Sequence, residues 1–264
     1  MTTAPAIPAN LTAQTVTSVK HWDEYLFSFR MTRPPSFRFK AGEFVMLGLM
    51  SGERPLLRAY SMASPTWDEE LEFLSIKFED GPLTARLQRI VPGDTVQLGR
   101  KPTGTLVAEA LLPGKRLFML ATGTGLGPFL SVAREPDMYD RFDQLVIVHS
   151  TRRAIDLAYR EMLEARLADD PLVGELAPNK LIYVPTVTRD EFHTQGRIGD
   201  LIDSGRLFAH VDGPARFDPE TDRVMMCGSM AMIKDFAARF ELLGFVQGAH
   251  SHPGHYVIER AFVD

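Results

Sequence analysis

The sequence predicts two domains, an antiparallel Greek-key β-barrel with one inserted helix followed by an α/β domain built on a parallel sheet. The 264 residues are enough for two separate cores. Short apolar or alternating runs between turn residues fill the chain up to about Val107, whereas beyond Leu112-Pro113-Gly114-Lys115 apolar runs alternate with helical patterns. We therefore expect domains at 1–110 and 111–264.

Six short strands are predicted in the first domain. They are Thr15–Val19, Tyr25–Phe29, Phe44–Leu49, Leu56–Ser61, Leu71–Phe78 and Thr95–Leu98. Strands of this length with regular turn signals are typical of an antiparallel barrel. Pro82–Val91 has apolar residues at helical spacing and a proline near its start, which predicts the inserted helix.

The second domain alternates strands and helices, which predicts a parallel sheet covered on both faces. The strands are Arg116–Ala121, Leu145–His149, Leu181–Val187, Val224–Cys227 and Tyr256–Phe262. The helices are Pro128–Arg134, a long amphipathic Ile155–Leu167, and Met230–Leu243.

Composition excludes several classes of protein. With 45% hydrophobic and 24% charged residues the chain has an ordinary globular composition, and its net charge of −5 gives no reason to expect nucleic acid. No apolar run approaches the roughly eighteen residues of a membrane span, and Met1–Asn10 lacks the features of a signal peptide. One cysteine, Cys227, cannot form an intrachain disulfide or hold an iron–sulfur cluster on four thiolates. We expect a cytoplasmic protein without membrane or nucleic-acid partners.

A first candidate site lies at Arg58-Ala59-Tyr60-Ser61, between two apolar runs. The guanidinium of Arg58 is a rigid fork of donors suited to phosphate. Tyr60, two residues further on the same strand, points to the same face. It could stack on a flat ring while Arg58 holds the phosphate tail of that ring, which indicates a flavin.

A second candidate site lies at Ala121–Pro128, where a strand gives way to a helix. Free N–H groups at a helix start attract phosphate, and glycines let the backbone approach it. The dinucleotide fingerprint is incomplete, because Pro128 stands where its third glycine should be. A small-residue turn without a ligand is the alternative interpretation.

The residues after the next strand indicate which dinucleotide would bind. An NAD site usually has a carboxylate there, whereas this strand ends in Ser150-Thr151-Arg152-Arg153. Guanidinium groups bind a 2′-phosphate with charge-assisted hydrogen bonds. We assign Arg152 to that phosphate and Arg153 to solvent, with Arg189 and Arg197 as further candidates.

Three histidines in His250-Ser251-His252-Pro253-Gly254-His255 resemble a metal-binding tract. No carboxylate or cysteine is interleaved with them, so we expect a solvated loop and no metal site.

The motifs together resemble the plant-type ferredoxin–NADP(H) reductases, specifically their bacterial ferredoxin/flavodoxin reductase branch. They occur in family order over nearly the whole chain. They are Arg58–Ser61, Phe73–Lys77 leading into Gly81–Thr84, Lys101–Leu106, Ala121–Phe129, Thr151-Arg152 with Asp156–Tyr159, Cys227-Gly228-Ser229 and Ile258–Val263. The chain departs from the pattern at Met230, where many relatives have proline.

The resemblance implies specific roles for the motif residues. FAD would be bound by Arg58, Ala59, Tyr60, Ser61, Ile76, Lys77, Phe78, Gly81, Pro82, Leu83 and Thr84, with Arg58 on the pyrophosphate, Tyr60 on the isoalloxazine and Ser61 near flavin N5. NADP(H) would be bound by Thr122, Gly123, Thr124, Thr151, Arg152, Arg189, Arg197 and Cys227. The tail would contribute Glu259 and a small Ala261 beside the flavin, and Phe262 for the adenine of a folded-back FAD. The catalytic residues implied are Tyr60, Ser61, Cys227 and Glu259.

The implied reaction is hydride transfer from NADPH C4 to flavin N5, followed by single-electron steps to ferredoxin or flavodoxin. The enzyme is expected to be a monomer. The basic residues Arg30, Arg33, Arg38 and Lys40 are candidates for docking an acidic carrier. An NADPH-dependent flavin reductase, an oxygenase-linked reductase of the same fold and a non-catalytic redox-sensing module are the alternatives.

Overall fold

The structure, a computed structural model, describes residues 8–260 and begins with a six-stranded antiparallel sheet. Its strands are β1 (Leu11–His21), β2 (Leu26–Thr32), β3 (Phe44–Ser51), β4 (Arg54–Ser61), β5 (Glu70–Ile76) and β6 (Thr95–Gly99), in the order β4-β3-β6-β1-β2-β5. The sheet closes on itself after β4, where Ala63 N–H donates to the carbonyl of Glu72 in β5 at 2.8 Å. Phenylalanine, methionine and aliphatic side chains such as Phe27, Phe73 and Leu98 fill the interior.

The inserted helix α1 covers only Thr84–Leu87, so the prediction of a helix over Pro82–Val91 was too long. After Leu87 the backbone tightens, because Arg89 and Ile90 donate to carbonyls three residues back. Leu83, Leu87 and Ile90 are still buried in the barrel, so the apolar spacing that predicted the helix is used by the turn as well.

In the part of the chain that the structure describes, the second sheet has five parallel strands, as the alternation of strands and helices predicted. They are β7 (Arg116–Thr122), β8 (Gln144–Thr151), β9 (Leu181–Val187), β10 (Asp222–Gly228) and β11 (Tyr256–Arg260), in the order β11-β10-β7-β8-β9. Within residues 8–260, six α-helices accompany this sheet: α2 (Gly127–Ala133), α3 (Pro136–Arg141), α4 (Arg160–Glu164), α5 (Ala177–Lys180), α6 (Ile198–Asp203) and α7 (Met230–Leu242). Ser229 caps α7 by accepting from Met232 N–H at 3.3 Å, so Met230 in place of proline does not disturb the helix start.

The prediction of one long helix over Ile155–Leu167 was wrong. Tyr159 has a left-handed backbone with φ of 60°, which ends the first turn and leaves α4 only five residues long. Arg166 and Leu167 also have positive φ, of 50° and 53°. Such values interrupt a right-handed helix wherever they occur.

The parallel sheet changes its direction of winding between β7 and β10, which are neighbours although most of the domain separates them in sequence. Ligands of open α/β sheets bind outside the carboxyl ends of strands at such a point. The two domains meet on the same side, where Leu26, Ala63 and Leu74 of the barrel share one core cluster with Leu126 and Phe129. The fold therefore places the end of β7 next to the barrel.

None of the helices within residues 8–260 is both long and apolar enough to cross a membrane.

Candidate functional site

Strand β4 presents Arg58 and Ala59 to solvent and holds the ring of Tyr60 against the barrel. The guanidinium of Arg58 donates to the carbonyl of Leu57 at 2.9 Å, and within residues 8–260 it forms no ion pair with a carboxylate. The hydroxyl of Tyr60 lies 3.3 Å from Ser75 Oγ, and its ring meets Phe73 edge-on at 6.4 Å between centroids. Burial raises the pKa of the Tyr60 phenol. The strand thus offers a fixed aromatic ring beside an available cation.

The loop after β5 carries the remaining predicted flavin residues of the barrel. Ile76 is half-buried and Phe78 is 53% exposed, whereas the amine of Lys77 donates to Asp23 O. Thr84 Oγ1 donates to Phe78 O at 3.0 Å. A Cβ added to Gly81 would lie 2.0 Å from Thr84 Oγ1. Glycine at 81 therefore leaves room for the Thr84 hydroxyl to make this hydrogen bond.

The start of α1 supplies donors suited to a phosphate. Pro82 is exposed and Leu83 is buried, so Leu83 offers only its backbone to a ligand. In the described part of the chain, the N–H groups of Leu83 and Thr84 have no hydrogen-bond acceptor, as expected for the first residues of a helix. A flavin with a pyrophosphate tail requires hydrogen-bond donors for its phosphates and an aromatic ring to stack on. An arginine and two free N–H groups supply the donors here, and Tyr60 supplies the ring. The residues present fit FAD.

At the carboxyl edge of the parallel sheet, the chain leaves β7 through Thr122, Gly123 and Thr124. Gly123 has φ of 55°, and a Cβ there would meet open space. Gly125 lies against β10, because a Cβ on it would be 2.1 Å from Cys227 O. Thr122 Oγ1 accepts from Ser229 N–H at 2.9 Å and so ties the two strand ends together. The result is a glycine-lined turn at the change of winding, with room above Gly123 for a ligand.

The predicted phosphate arginines lie along the same edge. Arg152 is exposed at the end of β8, and its carbonyl accepts from Arg189 N–H at 2.9 Å. Arg197 is also exposed, and its neighbour Gly196 donates to Val187 O at the end of β9. Thr151 is buried, with its hydroxyl donating to Arg153 O at 2.8 Å, so it shapes the turn that presents Arg152.

The expectation that Arg153 is free in solvent was wrong. Its guanidinium pairs with Asp156 and with Glu24 of the barrel, each at 3.1 Å, and lies 4.8 Å above the ring of Tyr25. These partners raise the pKa of Arg153 further above its ordinary value. Arg153 links the domains, which leaves Arg152 as the available guanidinium of the pair.

A continuous series of contacts places Ser61, Cys227 and Glu259 at the junction of the two domains. Ser61 O lies 4.0 Å from the position of a Cβ on Gly127, two residues beyond the Gly125 that packs under Cys227. Cys227 is paired with Glu259 in adjacent parallel strands. On the barrel side, Thr105 N–H donates to Glu259 Oε2 at 3.2 Å.

Phe44 completes this series of contacts by connecting Ser61 with the segment that holds Glu259. It pairs with Ser61 across β3 and β4, and exchanges hydrogen bonds with Thr103 at 2.7 and 2.9 Å. Three residues that are 32 to 198 positions apart in sequence are therefore held at one place. The fourth predicted catalytic residue, Tyr60, is the neighbour of Ser61 in the same strand.

Burial controls the charge of the two ionisable groups at this junction. Burial raises the pKa of the Cys227 thiol far above its ordinary value, and the negative charge of Glu259 raises it further. Burial also raises the pKa of Glu259, opposed by its hydrogen bonds with Thr105. Because burial favours the neutral thiol over the thiolate, Cys227 suits a small apolar contact at this position and not a nucleophile. Glu259 is half-buried and accepts from Thr105 N–H, so it is not a freely exposed strand carboxylate.

Two of the proposed docking cations are occupied within the barrel. Arg30 pairs with Asp68, Glu70 and Glu72 at 2.9, 2.6 and 3.3 Å. The guanidinium of Arg33 donates to three backbone carbonyls, those of Phe37, Thr66 and Asp68. The docking prediction was therefore wrong for Arg30 and Arg33, whose charges are used to hold turns. Arg38 and Lys40 are exposed, although Arg38 donates to Pro35 O at 2.8 Å and Lys40 pairs with Glu109 at 2.8 Å.

The histidine tract is engaged in structural hydrogen bonds. His250 Nε2 lies against Gly104 O, and His255 Nδ1 accepts from Val246 N–H at 3.0 Å. Within residues 8–260 no group of three or more histidine, cysteine or carboxylate side chains could hold a metal ion. The predicted roles of Ala261 and Phe262 lie outside the described residues.

Sequence reasoning missed His149 and Tyr183. His149 is buried in β8, with Nε2 3.1 Å from Gly123 O and Nδ1 3.2 Å from Tyr183 Oη. Desolvation lowers the pKa of His149 to about 4. The one sequence signal was a polar residue at the end of an otherwise apolar strand, Val146-Ile147-Val148-His149.

Comparison with known families defines the class of protein. Residues 9–107 match the family model described as an oxidoreductase FAD-binding domain, and residues 119–238 match the oxidoreductase NAD-binding domain. The chain is thus an oxidoreductase with an FAD domain followed by a dinucleotide domain, and the predicted fold class and pair of cofactor domains are confirmed.

Full-length relatives narrow the class to a family. The chain is 53% identical to a flavodoxin/ferredoxin–NADP reductase of Rhodobacter capsulatus, over 99% of this chain and 97% of the relative. It is 49% identical to a ferredoxin–NADP reductase of Azotobacter vinelandii, over 97% and 99%. A crystal structure of a ferredoxin NADP⁺ reductase from Neisseria gonorrhoeae with bound FAD and NADP superimposes with a TM-score of 0.87 at 31% identity, covering 97% of this chain and 100% of that one. The chain belongs to the flavodoxin/ferredoxin–NADP reductase family, as its motifs predicted.

Proposed function

We propose that this protein transfers electrons between NADPH and a ferredoxin or flavodoxin through a bound FAD. The observation that carries the proposal is the junction, where Ser61 at the end of the predicted flavin strand lies against Gly127 at the start of α2, two residues beyond the Gly125 that packs on Cys227 of β10. A flavin on the barrel and a dinucleotide on the parallel sheet would then share one space. The near full-length relatives support the same activity.

For FAD, Arg58 and the N–H groups of Leu83 and Thr84 would hold the pyrophosphate, and Tyr60 would position the ring. When bound, FAD supplies the conversion between a two-electron donor and one-electron carriers. The contribution of the chain is orientation, since holding two reactants in register removes several kcal/mol from a barrier. Tyr60 suits this because Ser75 and Phe73 fix its ring. Glu259, held by Thr105 beside Cys227, would exchange protons near the reacting edge of the flavin.

For NADP(H), Thr122, Gly123 and Thr124 would receive the phosphates or the nicotinamide side, with Cys227 near nicotinamide C4. Arg152, Arg189 and Arg197 would surround the 2′-phosphate. The absence of an acid in Ser150-Thr151-Arg152 supports NADPH over NADH, because a carboxylate there would repel the phosphate.

The first experiment tests coenzyme selection with Arg152→Ala. We expect the KM for NADPH to rise about thirtyfold with little change for NADH, because one charge-assisted contact of about 2 kcal/mol is lost. Arg153→Ala is the matched control, since that guanidinium is held by Asp156 and Glu24 and its loss should leave the NADPH/NADH ratio unchanged. An unaltered ratio in Arg152→Ala would remove Arg152 from the site.

The second experiment identifies the electron acceptor. Purified holoprotein should reduce a ferredoxin or a flavodoxin with NADPH, in addition to the artificial acceptor ferricyanide. Reduction of free flavin without reduction of either carrier would replace the proposal with a flavin reductase.

Three finer points remain predictions from the sequence. They are the division at residue 110 into an FAD domain and an NADP(H) domain, the monomeric state and the location in the cytoplasm. The limits of the matched family models, 107 and 119, support the position of the division.

A further inference from the structure

His149 is a buried titratable residue that the proposed function leaves unused. It is 1% exposed and lies at the carboxyl end of β8, beside Ala121 of β7. Its two ring nitrogens have one partner each, Gly123 O at 3.1 Å from Nε2 and Tyr183 Oη at 3.2 Å from Nδ1. The ring therefore connects the core of the sheet with the turn predicted to bind NADP(H).

The partners determine the tautomer of His149. A carbonyl oxygen can only accept, so Nε2 must carry the proton and donate to Gly123 O. In the neutral ring Nδ1 then has no proton and accepts from the Tyr183 hydroxyl. Desolvation lowers the pKa of His149 and raises that of Tyr183, which keeps both groups in these neutral forms. Beyond Tyr183 lie Arg160 and Glu164, which pair with each other at 2.6 Å.

The bond to Gly123 O determines where the next N–H points. A trans peptide is planar, so the Gly123 carbonyl and the Thr124 N–H point in opposite directions. No cis peptide occurs within the described residues. With the carbonyl directed inward to His149, the Thr124 N–H is directed away from the sheet. As the second residue of the turn, Thr124 has no N–H acceptor within it.

We propose that His149, oriented by Tyr183, is a positioning residue that fixes the Gly123–Thr124 peptide so that the Thr124 N–H meets a phosphate of NADP(H). The positive φ of Gly123 makes such a contact useful, because glycine has more alternative conformations than any other residue. The inference rests on the proposed binding of NADP(H) at this turn and adds a residue that does not touch the ligand.

The test uses two isosteric replacements in the FAD-loaded protein. Glutamine can place its amide nitrogen near the position of Nε2 and restore the bond to Gly123 O, whereas asparagine reaches only the position of Nδ1. We expect His149→Phe and His149→Asn to raise the Kd for NADP⁺ and the KM for NADPH about tenfold, the effect of one lost hydrogen bond. His149→Gln should stay within about threefold of wild type, and kcat at saturating NADPH should change little in all three.

Tyr183→Phe provides a variant that leaves His149 in place. It removes the hydroxyl that donates to Nδ1, so the ring is held by one hydrogen bond in place of two, and we expect the KM for NADPH to rise about threefold. The exposed His210→Gln is the matched control and should behave as wild type. Transfer from dithionite-reduced protein to the carrier should be unchanged in every variant, because that half-reaction does not use NADPH.

Equal NADP⁺ affinity in the glutamine and asparagine variants would overturn the proposal, as would wild-type affinity in His149→Phe. If His149→Phe does not fold, the NADP⁺ affinities of His149→Gln, His149→Asn and Tyr183→Phe still test the proposal. A wild-type protein without measurable affinity for NADP⁺ would instead overturn the proposed function, so the two failures are distinguishable.

Discussion

At the scale of single residues, burial determines which groups carry charge. His149 has no charged partner in the contacts that shift its pKa, and desolvation alone lowers that pKa to about 4, against a hydrogen bond with Gly123 that raises it. In the unfolded chain the same ring titrates near its ordinary pKa of about 6.5. Between these values the unfolded state binds one proton more than the folded state.

This difference predicts a dependence of stability on pH. Above about pH 6.5 His149 does not make the free energy of unfolding depend on pH. Below that value its protonation in the unfolded chain should lower the free energy of unfolding by about 3 kcal/mol as the pH drops to about 4. Urea denaturation of the FAD-loaded protein between pH 4.5 and 7.5 measures the fall. Carboxylates contribute in the same range, so the quantity to compare is the difference between wild type and His149→Gln.

His149→Gln should be less sensitive to acid than wild type, because the glutamine does not titrate. His210→Gln, at an exposed position, is the control for a histidine-to-glutamine replacement as such. Identical slopes for wild type and His149→Gln would mean that the ring is accessible to protons in the folded state.

At the scale of elements, the sequence predicted the strands well and two helices poorly. The strands could be predicted because apolar residues with turn signals at both ends are local features. The helix over Ile155–Leu167 could not be corrected in the same way, since its apolar spacing is compatible with an unbroken helix. The break occurs at Tyr159, whose partners are Trp22 and Glu72, more than eighty residues away in the barrel. Tertiary contacts overrode local propensity there.

The residues of the candidate site also differ in whether their roles depend on local sequence or on distant contacts. Arg58, Tyr60 and the glycine turn could be proposed from the sequence because each motif is contiguous. His149 was not, because its role depends on Gly123 and Tyr183, which lie 26 and 34 positions away. Arg153 was assigned wrongly for the same reason, since its partner Glu24 is 129 positions away.

The turn before α4 gives a prediction at this scale. The Tyr159 hydroxyl donates to Glu72 Oε1 at 2.6 Å, and its ring lies 4.5 Å from that of Trp22. Tyr159→Phe keeps the ring contact and removes the hydrogen bond to a carboxylate, so we expect the free energy of unfolding to fall by about 2 kcal/mol. Tyr25→Phe is the control, because that ring is 52% exposed and keeps its contact with Arg153, and it should change stability by less than about 0.5 kcal/mol. Equal stabilities of the two variants would show that the hydroxyl of Tyr159 contributes nothing to joining the domains.

At the scale of the whole molecule, the two domains are joined too closely to behave separately. Leu26, Ala63 and Leu74 belong to a core cluster that extends into the parallel sheet. Polar contacts surround it, for example Thr66 N–H and Oγ1 donating to Glu135 at 2.6 and 2.9 Å. Separating the domains would expose apolar area and leave Glu135, whose pKa is raised by burial, without its partner.

Both tryptophans of the chain lie at this interface, which makes its integrity measurable. Trp22 packs on Tyr159, and Trp67 donates from Nε1 to Arg134 O at 3.0 Å while the Arg134 guanidinium lies 5.1 Å from its ring. We therefore expect tryptophan emission, which reports the interface, and far-UV circular dichroism, which reports both sheets, to change at the same urea concentration. A shared core makes partial unfolding costly, so one transition should describe both probes.

Glu135→Gln sharpens the test, because it weakens the bonds with Thr66 without changing the size of the side chain. Its midpoint should fall by the same amount in both probes if the interface and the sheets unfold together. Added FAD, which binds the barrel, should raise both midpoints equally, since a ligand of the folded state stabilises every part of a cooperative unit. An emission change that precedes the loss of circular dichroism would mean that the domains separate first. The shared space between flavin strand and dinucleotide turn would then be a transient arrangement of two independent bodies.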